Sequence, residues 1–297
     1  MATTRIGNRT TPEIANLSKE EKRSLTHGEF WIPEAEREAY RTALQTLNRA
    51  GVQYVVSGLY ALYEYTGIYR QTKDLDLFVE PGQVLSAARA LKAAGFRPHL
   101  EQAHWLAKAM WDDKQVDIIF GTGNGLSFID HRWFEHSRAG LLAGTQVRVA
   151  PPEELLWHRL FVSERHRSDV SDVLHLIVCR GDELDWERLL WRVADHWRLL
   201  LAQVHLYDFV YPGHRPRVPQ WVRRKLYDAA EATIDEPGDP SICQGTLISR
   251  FSYNIDVNEW GFRDLRKEAT IATRALPIVQ EIVRDEVWEE KLRLTDE

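Results

Sequence analysis

The stretch that most constrains the fold is RQTKDLDLFVEP at residues 70–81, where two acids precede an apolar run. Asp74 and Asp76 stand two residues apart and are followed by the apolar residues 77–79. Residues i and i+2 of a strand point to the same face, so the pattern predicts two converging carboxylates. Like charges repel at this spacing unless a cation lies between them. The stretch therefore predicts either a solvent-exposed strand end or a metal site.

Apolar runs of strand length alternate with helical patterns in the first half of the chain. Strands are predicted at VQYVVSG, DLDLFVE, FRPHL, HWLAKAMW and QVDIIF. Helices are predicted at IPEAEREAYRTALQTLNRAG, LYALYEYTG and PGQVLSAARALKAAG. This order indicates an α+β fold with a mixed β-sheet and flanking helices.

Helical patterns dominate after Pro151-Pro152, which is typical of a domain boundary. The sequence therefore predicts a flexible tail over residues 1–30, a sheet domain over 31–150 and an α-helical domain over 151–297. The last predicted helix covers residues 265–292, with a kink at Pro277.

Composition excludes several classes of protein. The net charge of −6 argues against a broad basic surface for nucleic acid, although a local basic groove remains compatible with it. The two cysteines, Cys179 and Cys243, imply no disulfide framework. There is no apolar run of about 18 residues and no apolar signal core near the start, so we expect a cytoplasmic protein without membrane contact.

Two further features bear on the possible metal site. Ser57-Gly58 lies between a predicted strand and helix, where glycine allows close backbone approach and helix-start N–H groups favour anions. Asp117 is a lone acid in the apolar strand QVDIIF. A buried acid is costly unless it is paired or metal-bound, so Asp117 is an edge-facing residue, a partner of a nearby arginine or a metal ligand.

One arrangement explains all of these features together. Asp74, Asp76 and Asp117 on neighbouring strands can hold two Mg²⁺ ions roughly 3.5–4 Å apart. The Ser57-Gly58 turn would then hold the phosphates of a nucleoside triphosphate. Phosphoryl-type transfer depends mainly on such positioning and charge neutralisation.

The pattern VVSGLYAL…RQTKDLDL…VDIIF resembles the DNA polymerase beta-like nucleotidyltransferase superfamily, and in particular its bacterial members, which include antibiotic and toxin nucleotidyltransferases. The resemblance implies a nucleotidyltransferase-type sheet, with a Mg²⁺-dependent transfer of a nucleoside monophosphate from an NTP co-substrate to an acceptor. It implies catalytic and metal-binding roles for the three aspartates, with Asp117 serving the acceptor hydroxyl and its proton. It extends into PPEELLWHRLFVSERHRSDVSDVLHLI, and implies that the helical domain closes over nucleotide and acceptor. The nucleotide-binding residues that it suggests are Ser57, Gly58, Arg70, Thr72, Arg159 and Asp169.

The chain departs from the family pattern at three places, one of which is an insertion of one or two residues between Ser57-Gly58 and Arg70. The small pair is Ser-Gly instead of Gly-Ser or Gly-Gly, and Arg159 stands where related sequences have lysine. Arginine retains the charge and can bind phosphate bidentately. Asp169 and Asp172, with Arg165 one turn earlier, are also compatible with a salt-bridged helix face.

Two acceptor classes remain open. An aminoglycoside-like or sugar-phosphate small molecule fits the acidic balance. A tRNA end would need a basic groove, for which the candidate is YPGHRPRVPQWVRRK with Arg215, Arg217, Arg223, Arg224 and Lys225. The alternative interpretation of this stretch is an exposed basic loop and helix start. A catalytically inactive module that binds nucleotide or a partner protein is the alternative to an enzyme. The sequence indicates neither the preferred base nor the oligomeric state.

Other conspicuous residues have simpler interpretations. His158, His166, His175 and His196 lack zinc-like spacing and are interpreted as surface or packing residues. GTGNG, after Asp117, is interpreted as a flexible loop. SRFSYNIDVNEWGFRD is interpreted as an irregular segment packed on the helical domain, with an acceptor pocket as the alternative.

Overall fold

The computed structural model describes residues 5–6, 9–10 and 30–289, which divide into two compact units. The sheet unit comprises residues 30–61, 69–151 and 266–289. The helical unit includes residues 62–68 and 152–265. Most of the predicted tail, residues 1–30, lies outside the described residues. Its described parts are the short antiparallel strands β1 (Arg5–Ile6) and β2 (Arg9–Thr10).

The sheet unit is built on a mixed sheet with the strand order β5-β6-β7-β4-β3-β9-β8. Its strands are β3 (Val55–Val56), β4 (Asp74–Phe78), β5 (Arg97–Gln102), β6 (Leu106–Trp111), β7 (Lys114–Ile119), β8 (Arg138–Leu142) and β9 (Thr145–Val149). Strands β4 and β7 run parallel, as do β3 and β9, and the other neighbours are antiparallel. The predicted α+β class with a mixed sheet is therefore confirmed.

Helices flank this sheet and continue through the rest of the chain. They are α1 (Glu34–Arg49), α2 (Gly58–Thr66), α3 (Val84–Ala93), α4 (Arg132–Glu135), α5 (Pro152–Arg159), α6 (Val170–Arg180), α7 (Trp186–Val193), α8 (Trp197–Val210), α9 (Gln220–Ala232), α10 (Asn254–Asn258), α11 (Leu265–Arg274) and α12 (Pro277–Arg284). In the helical unit, β10 (Ile242–Cys243) pairs in parallel with β11 (Arg263–Asp264). In the described part of the chain, no helix combines the length and apolarity needed to cross a membrane.

The two faces of the sheet differ in chemistry. Leu75 and Leu77 of β4 and Val116 and Ile118 of β7 are wholly buried. Helices α1 and α3 pack against strands of this sheet, and α1 buries residues at helical spacing, including Leu44 and Leu47. Each strand turns one side chain in two to the opposite face, where Asp74, Asp76, Gln115 and Asp117 form the polar face of the sheet and the same alternation ends at apolar Phe78 and Ile119.

Buried ion pairs join α5 to α7 in the helical unit. Arg188 contacts Glu153, and its Nη1 lies 3.6 Å from Oε2 of Glu154. Arg192 Nε donates to Oε1 of Glu154 at 3.2 Å. All four side chains are less than a tenth exposed. Two carboxylates and two guanidinium groups therefore balance in charge within this unit.

The end of the chain differs from the prediction of one kinked helix over residues 265–292. The structure has two helices, α11 and α12, and no helical residue between 285 and 289. Leu276 has an extended backbone, φ −67° and ψ 140°, because a residue before proline is disfavoured in the helical region. Residues 290–292 of the predicted helix lie outside the described residues.

The segment GTGNG, interpreted from the sequence as a flexible loop, is hydrogen-bonded to α11. Arg266 Nη2 donates to the Gly123 carbonyl at 2.7 Å, and Thr273 Oγ1 donates to the Gly125 carbonyl at 2.8 Å. Gly125 has φ +74°, and a Cβ there would lie 2.8 Å from the Thr270 nitrogen. Glycine is thus required for this close contact.

Candidate active site

Strands β4 and β7 bring the three predicted aspartates together. In their parallel register, Asp76 lies opposite Asp117 and Asp74 lies opposite Gln115. Opposed residues share a face, as do Asp74 and Asp76 by their spacing. Each aspartate has a carboxylate oxygen within 4.8 Å of one from each of the other two. The residues that sequence analysis placed in one cluster therefore lie at one point of the polar face.

The Ser57-Gly58 turn lies against this cluster. The Ser57 N–H donates to the Asp76 carbonyl at 3.0 Å, which extends the pairing of β3 with β4 by one residue. Gly58, the first residue of α2, has φ +60°, and a Cβ at this position would overlap the Asp76 carboxylate. The Ser-Gly order thus has a local cause, because the second position tolerates no side chain.

Two neutral side chains orient the carboxylates. Thr72 Oγ1 donates to Oδ1 of Asp74 at 2.5 Å, and Gln115 Nε2 donates to Oδ1 of Asp117 at 2.7 Å. Thr72 contacts one member of the aspartate triad (Asp74, Asp76 and Asp117), and its predicted binding of nucleotide remains a prediction. Gln115 was missed by the sequence analysis. Its position two residues before Asp117 on the same strand face was the available signal.

Burial and like charge both act on Asp117. Burial raises the pKa of its carboxyl to about 6, the Asp74 carboxylate adds to the rise, and Lys108 with the Gln115 hydrogen bond opposes it. A cluster of carboxylate oxygens in which burial and like charge disfavour ionisation is suited to a hard divalent cation, because the cation would offset the negative charge. Among the described residues, this is the only group of three or more His, Cys, Asp and Glu side chains that could hold a metal ion. The donor set fits the predicted Mg²⁺.

Comparison with known proteins decides the family. The model of a family described as "Uncharacterised nucleotidyltransferase" matches residues 36–207, which is more than half of the chain. The chain belongs to this nucleotidyltransferase family. The matched residues include the triad, the Ser57-Gly58 turn and helices α5 to α7.

Several solved structures are similar to this nucleotidyltransferase. The antibiotic-resistance factor ANT(2″)-Ia is 15% identical, with a TM-score of 0.42 over 60% of this chain and 100% of its own. The lincosamide antibiotic adenylyltransferase LnuA is 14% identical, with a TM-score of 0.36 over 50% of this chain and 97% of its own. A tRNA-processing enzyme is 15% identical, with a TM-score of 0.30 over 85% of this chain and 78% of its own. At these values, none of them assigns a substrate to this nucleotidyltransferase. No curated protein matches its sequence.

The other predicted nucleotide-binding residues have the following surroundings. Arg70 is exposed in the loop between α2 and β4. In the helical unit of the nucleotidyltransferase, Arg159 is 6% exposed and its Nε lies 3.3 Å from Oδ2 of Asp172. Asp169 is buried, and its Oδ1 lies 3.4 Å from Nε of Arg167. Nucleotide binding by Arg70, Arg159 and Asp169 remains a prediction.

The basic stretch considered for tRNA is largely paired with acids inside the helical unit. Arg223 binds Asp208 through both terminal nitrogens, at 2.6 and 2.8 Å. Arg215 lies 3.4 Å from the same carboxylate, and Arg217 pairs with Asp182. Arg224 and Lys225 are exposed. Three of the five cations thus have acidic partners.

The irregular segment SRFSYNIDVNEWGFRD makes structural contacts within the same unit of the nucleotidyltransferase. Ser249 Oγ donates to Oε2 of Glu164 at 2.6 Å, and the Arg250 N–H donates to Oε1 of the same side chain at 2.7 Å. These contacts agree with the packing interpretation of the segment. None of the four conspicuous histidines belongs to a potential metal cluster in the part of the chain that the structure describes.

Proposed function

We propose that this chain is a Mg²⁺-dependent nucleotidyltransferase that moves a nucleoside monophosphate from an NTP to a hydroxyl of a small-molecule acceptor and releases pyrophosphate. The single observation that carries the proposal is the convergence of Asp74, Asp76 and Asp117 beside Gly58. Membership of the nucleotidyltransferase family supports the reaction class.

The residues of the site would have separate roles. Asp74 and Asp76 would hold divalent metal between them and the phosphates, and Asp117 would complete the metal site. When bound, Mg²⁺ supplies neutralisation of the phosphate charge and fixes the orientation of the reacting groups. The backbone N–H groups in the first turn of α2 would favour the anionic phosphates. Thr72 and Gln115 would keep the carboxylates in place through their hydrogen bonds.

The transfer step involves one bond formed and one bond broken. The acceptor oxygen bonds to the α-phosphorus, and the bond from that phosphorus to the bridging oxygen breaks, so its electron pair leaves with pyrophosphate. The hydroxyl proton passes to the Asp117 carboxylate. The Asp117 carboxylate is placed to take this proton, because it lies in the same cluster as the two other carboxylates of the site.

Charge pairing favours a small acceptor over a tRNA end. A protein that binds an RNA backbone needs free Lys and Arg side chains, because phosphate contacts supply most of the affinity. In the stretch around residues 215–225, Asp208 and Asp182 pair with three arginines and offset two of their three positive charges. The net charge of −6 points in the same direction.

Magnesium-dependent pyrophosphate release from each of the four NTPs tests the reaction. We expect release by the wild type to disappear with EDTA and to fall at least ~1,000-fold in Asp76→Asn, because the variant removes a charge from the site that neutralises phosphate. Asp113→Asn is the matched control, since Asp113 is exposed in the turn between β6 and β7. Equal release of pyrophosphate by the wild type and Asp76→Asn would contradict the hypothesis of an enzyme and favour that of a catalytically inactive binding module.

A second arm of the experiment separates the acceptors. Labelled nucleotide is followed into purified tRNA and into a pool of small compounds under the same conditions. Label in the compound pool supports the proposal. Label in tRNA alone would contradict it.

A further inference from the structure

The polar face of the sheet continues beyond the triad onto β6 and β5. Lys108 of β6 lies directly opposite Asp117 in the antiparallel register, and His99 of β5 lies directly opposite Lys108. Directly opposed residues share a face and stand about 5 Å apart. Asp76, Asp117, Lys108 and His99 therefore form a row across four neighbouring strands.

The geometry of the proposed reaction indicates from which end of this row the acceptor enters. The turn at Gly58, which suits the phosphates, lies at the end of β3, on the far side of Asp76 from Asp117. In an in-line displacement, the entering and leaving oxygens lie on opposite sides of the phosphorus. If pyrophosphate leaves towards β3, the acceptor enters from the side of β6 and β5. This step depends on the proposed function.

The side chains on the β6 side are accessible and interact with one another. The side chains of Lys108 and His99 are 21% and 25% exposed, and that of Glu101 is 45% exposed. Oε1 of Glu101 lies 4.0 Å from Nζ of Lys108, and Oε2 lies 3.5 Å from Nε2 of His99. The register of β5 against β6 shifts between Leu100 and Gln102, so Glu101 stands at a bulge. Bulges of this kind redirect a side chain beside a site.

The chemistry of this group indicates the type of ligand. Lys108 donates hydrogen bonds, the Glu101 carboxylate accepts them, and the His99 ring can do either. The charges of Lys108 and Glu101 offset each other, so the group is not a phosphate-binding stripe. Apart from His99, neither β5 nor β6 places an aromatic side chain on this face. Trp111 of β6 is three residues from Lys108, so it lies on the opposite face, where its ring centroid is 4.9 Å from that of Phe96. Unpaired RNA bases are usually stacked on aromatic side chains.

We propose that Lys108, Glu101 and His99 form the acceptor subsite and that the acceptor is a hydroxyl-rich small molecule, a sugar or polyol. Lys108 and Glu101 bind neighbouring hydroxyls of this molecule and present one further hydroxyl to Asp117. The attacking oxygen then bonds to the α-phosphorus while pyrophosphate departs, and the hydroxyl proton goes to Asp117. No other reactant is needed.

The test compares Lys108→Met with Lys114→Met. Lys114 is a matched control, because it is also a lysine and its side chain is 20% exposed. It is three residues from Asp117 on β7, so it lies on the face of the sheet opposite the polar face. Four probes are offered with Mg²⁺ and the preferred NTP: glucose, myo-inositol, glucose 6-phosphate and purified tRNA. Mass spectrometry detects the nucleotidylated probe, and release of pyrophosphate without any probe reports transfer to water.

We expect transfer to glucose or myo-inositol by the wild type. In Lys108→Met, KM for that probe should rise at least ~10-fold, while KM for the NTP stays within about twofold. Glu101→Gln should raise the probe KM by a smaller factor, and Lys114→Met should match the wild type. Thermal unfolding of each variant verifies that the fold is retained.

Three outcomes would overturn the proposal. They are transfer to tRNA or glucose 6-phosphate alone, no transfer to any probe while NTP turnover to water persists, and a rise in the KM for the NTP in Lys108→Met. An absence of Mg²⁺-dependent pyrophosphate release in the wild type would instead contradict the proposed function itself. The two failures are thus distinguishable.

Discussion

Two clusters of carboxylates in this nucleotidyltransferase differ in how their charge is balanced. Glu153 and Glu154 of the helical unit lie against Arg188 and Arg192, and burial raises the pKa of both carboxyls while the arginines oppose the rise. In the sheet unit, Asp74 and Asp117 accept hydrogen bonds from the neutral side chains of Thr72 and Gln115.

The difference separates a structural cluster from a functional one. Where the protein supplies its own guanidinium groups, the carboxylates connect two helices. Where two of the carboxylates have neutral hydrogen-bond partners and converge with a third, a divalent cation from solution can provide the compensating charge. The carboxylates of the sheet unit therefore repel one another at the place where a bound cation would offset their charge. Such a loss of stability is common at functional sites.

The largest expected effect on stability comes from breaking the balanced cluster. Arg188→Met leaves Glu153 and Glu154 with one guanidinium between them in a buried site, which should lower the free energy of unfolding by about 3–5 kcal/mol. Urea denaturation measures the change. Arg89→Met is the control, because Arg89 pairs with Asp285 while its side chain is 59% exposed. A loss of less than about 1 kcal/mol in Arg188→Met would show that the cluster is not structural.

A substitution in the triad is expected to change the free energy of unfolding in the opposite direction. Asp117→Asn should raise the free energy of unfolding by about 1–3 kcal/mol at pH 8 in EDTA, because the variant removes a carboxylate whose pKa is raised in the fold. In the wild type, the ionised carboxylate lowers stability progressively as pH rises from about 4 to about 6, so the advantage of the variant should vanish below pH 4.

Urea denaturation at pH 8 and pH 4, with exposed Asp113→Asn as control, measures this difference. A destabilised Asp117→Asn at pH 8 would remove the contrast between the two clusters.

A smaller effect is expected at a third buried group, His104 of the sheet unit. Burial lowers the pKa of its imidazole to about 4, with Arg274 and Arg266 adding to the decrease and the Gly123 carbonyl opposing it. The unfolded chain takes up this proton near pH 6.5 and the folded chain does not, so the group costs stability as pH falls from about 6.5 to 4.

His104→Gln tests this smaller effect. Between pH 7 and pH 5.5, we expect the variant to gain about 1 kcal/mol relative to the wild type. Denaturation curves at the two pH values give the difference directly. A pH-independent difference would show that His104 titrates normally in the fold.

Most of what positions the triad could be predicted from the sequence. The strand pattern of DLDLF and QVDIIF was sufficient to predict both strands and the shared face, because strand periodicity is strict. The parallel direction of β4 and β7 was not predicted, because it depends on contacts between residues far apart in sequence. The Gln115 hydrogen bond was missed although its spacing from Asp117 indicated a shared face, and the row through Lys108 was missed because it depends on the pairing register.

The other misses have local causes. Strands β8 and β9 were not recognised because Ala143-Gly144, which joins them with φ 50° and 70°, lacks the Asn-Gly or Asp-Gly signal usual for such a turn. The break between α11 and α12 was predicted only as a kink, since a proline can do either and packing decides. The contact of Gly125 with α11 joins residues far apart in sequence, which no local pattern reports.

Metal binding by the triad tests the central claim most directly. Electron paramagnetic resonance with Mn²⁺ counts the ions bound in the presence of a non-hydrolysable NTP analogue. We predict about two Mn²⁺ ions per wild-type complex, and fewer in both Asp76→Asn and Asp117→Asn, with Asp113→Asn like the wild type. Identical Mn²⁺ binding by all four proteins would contradict the account, because the three carboxylates would then have no role in holding the metal.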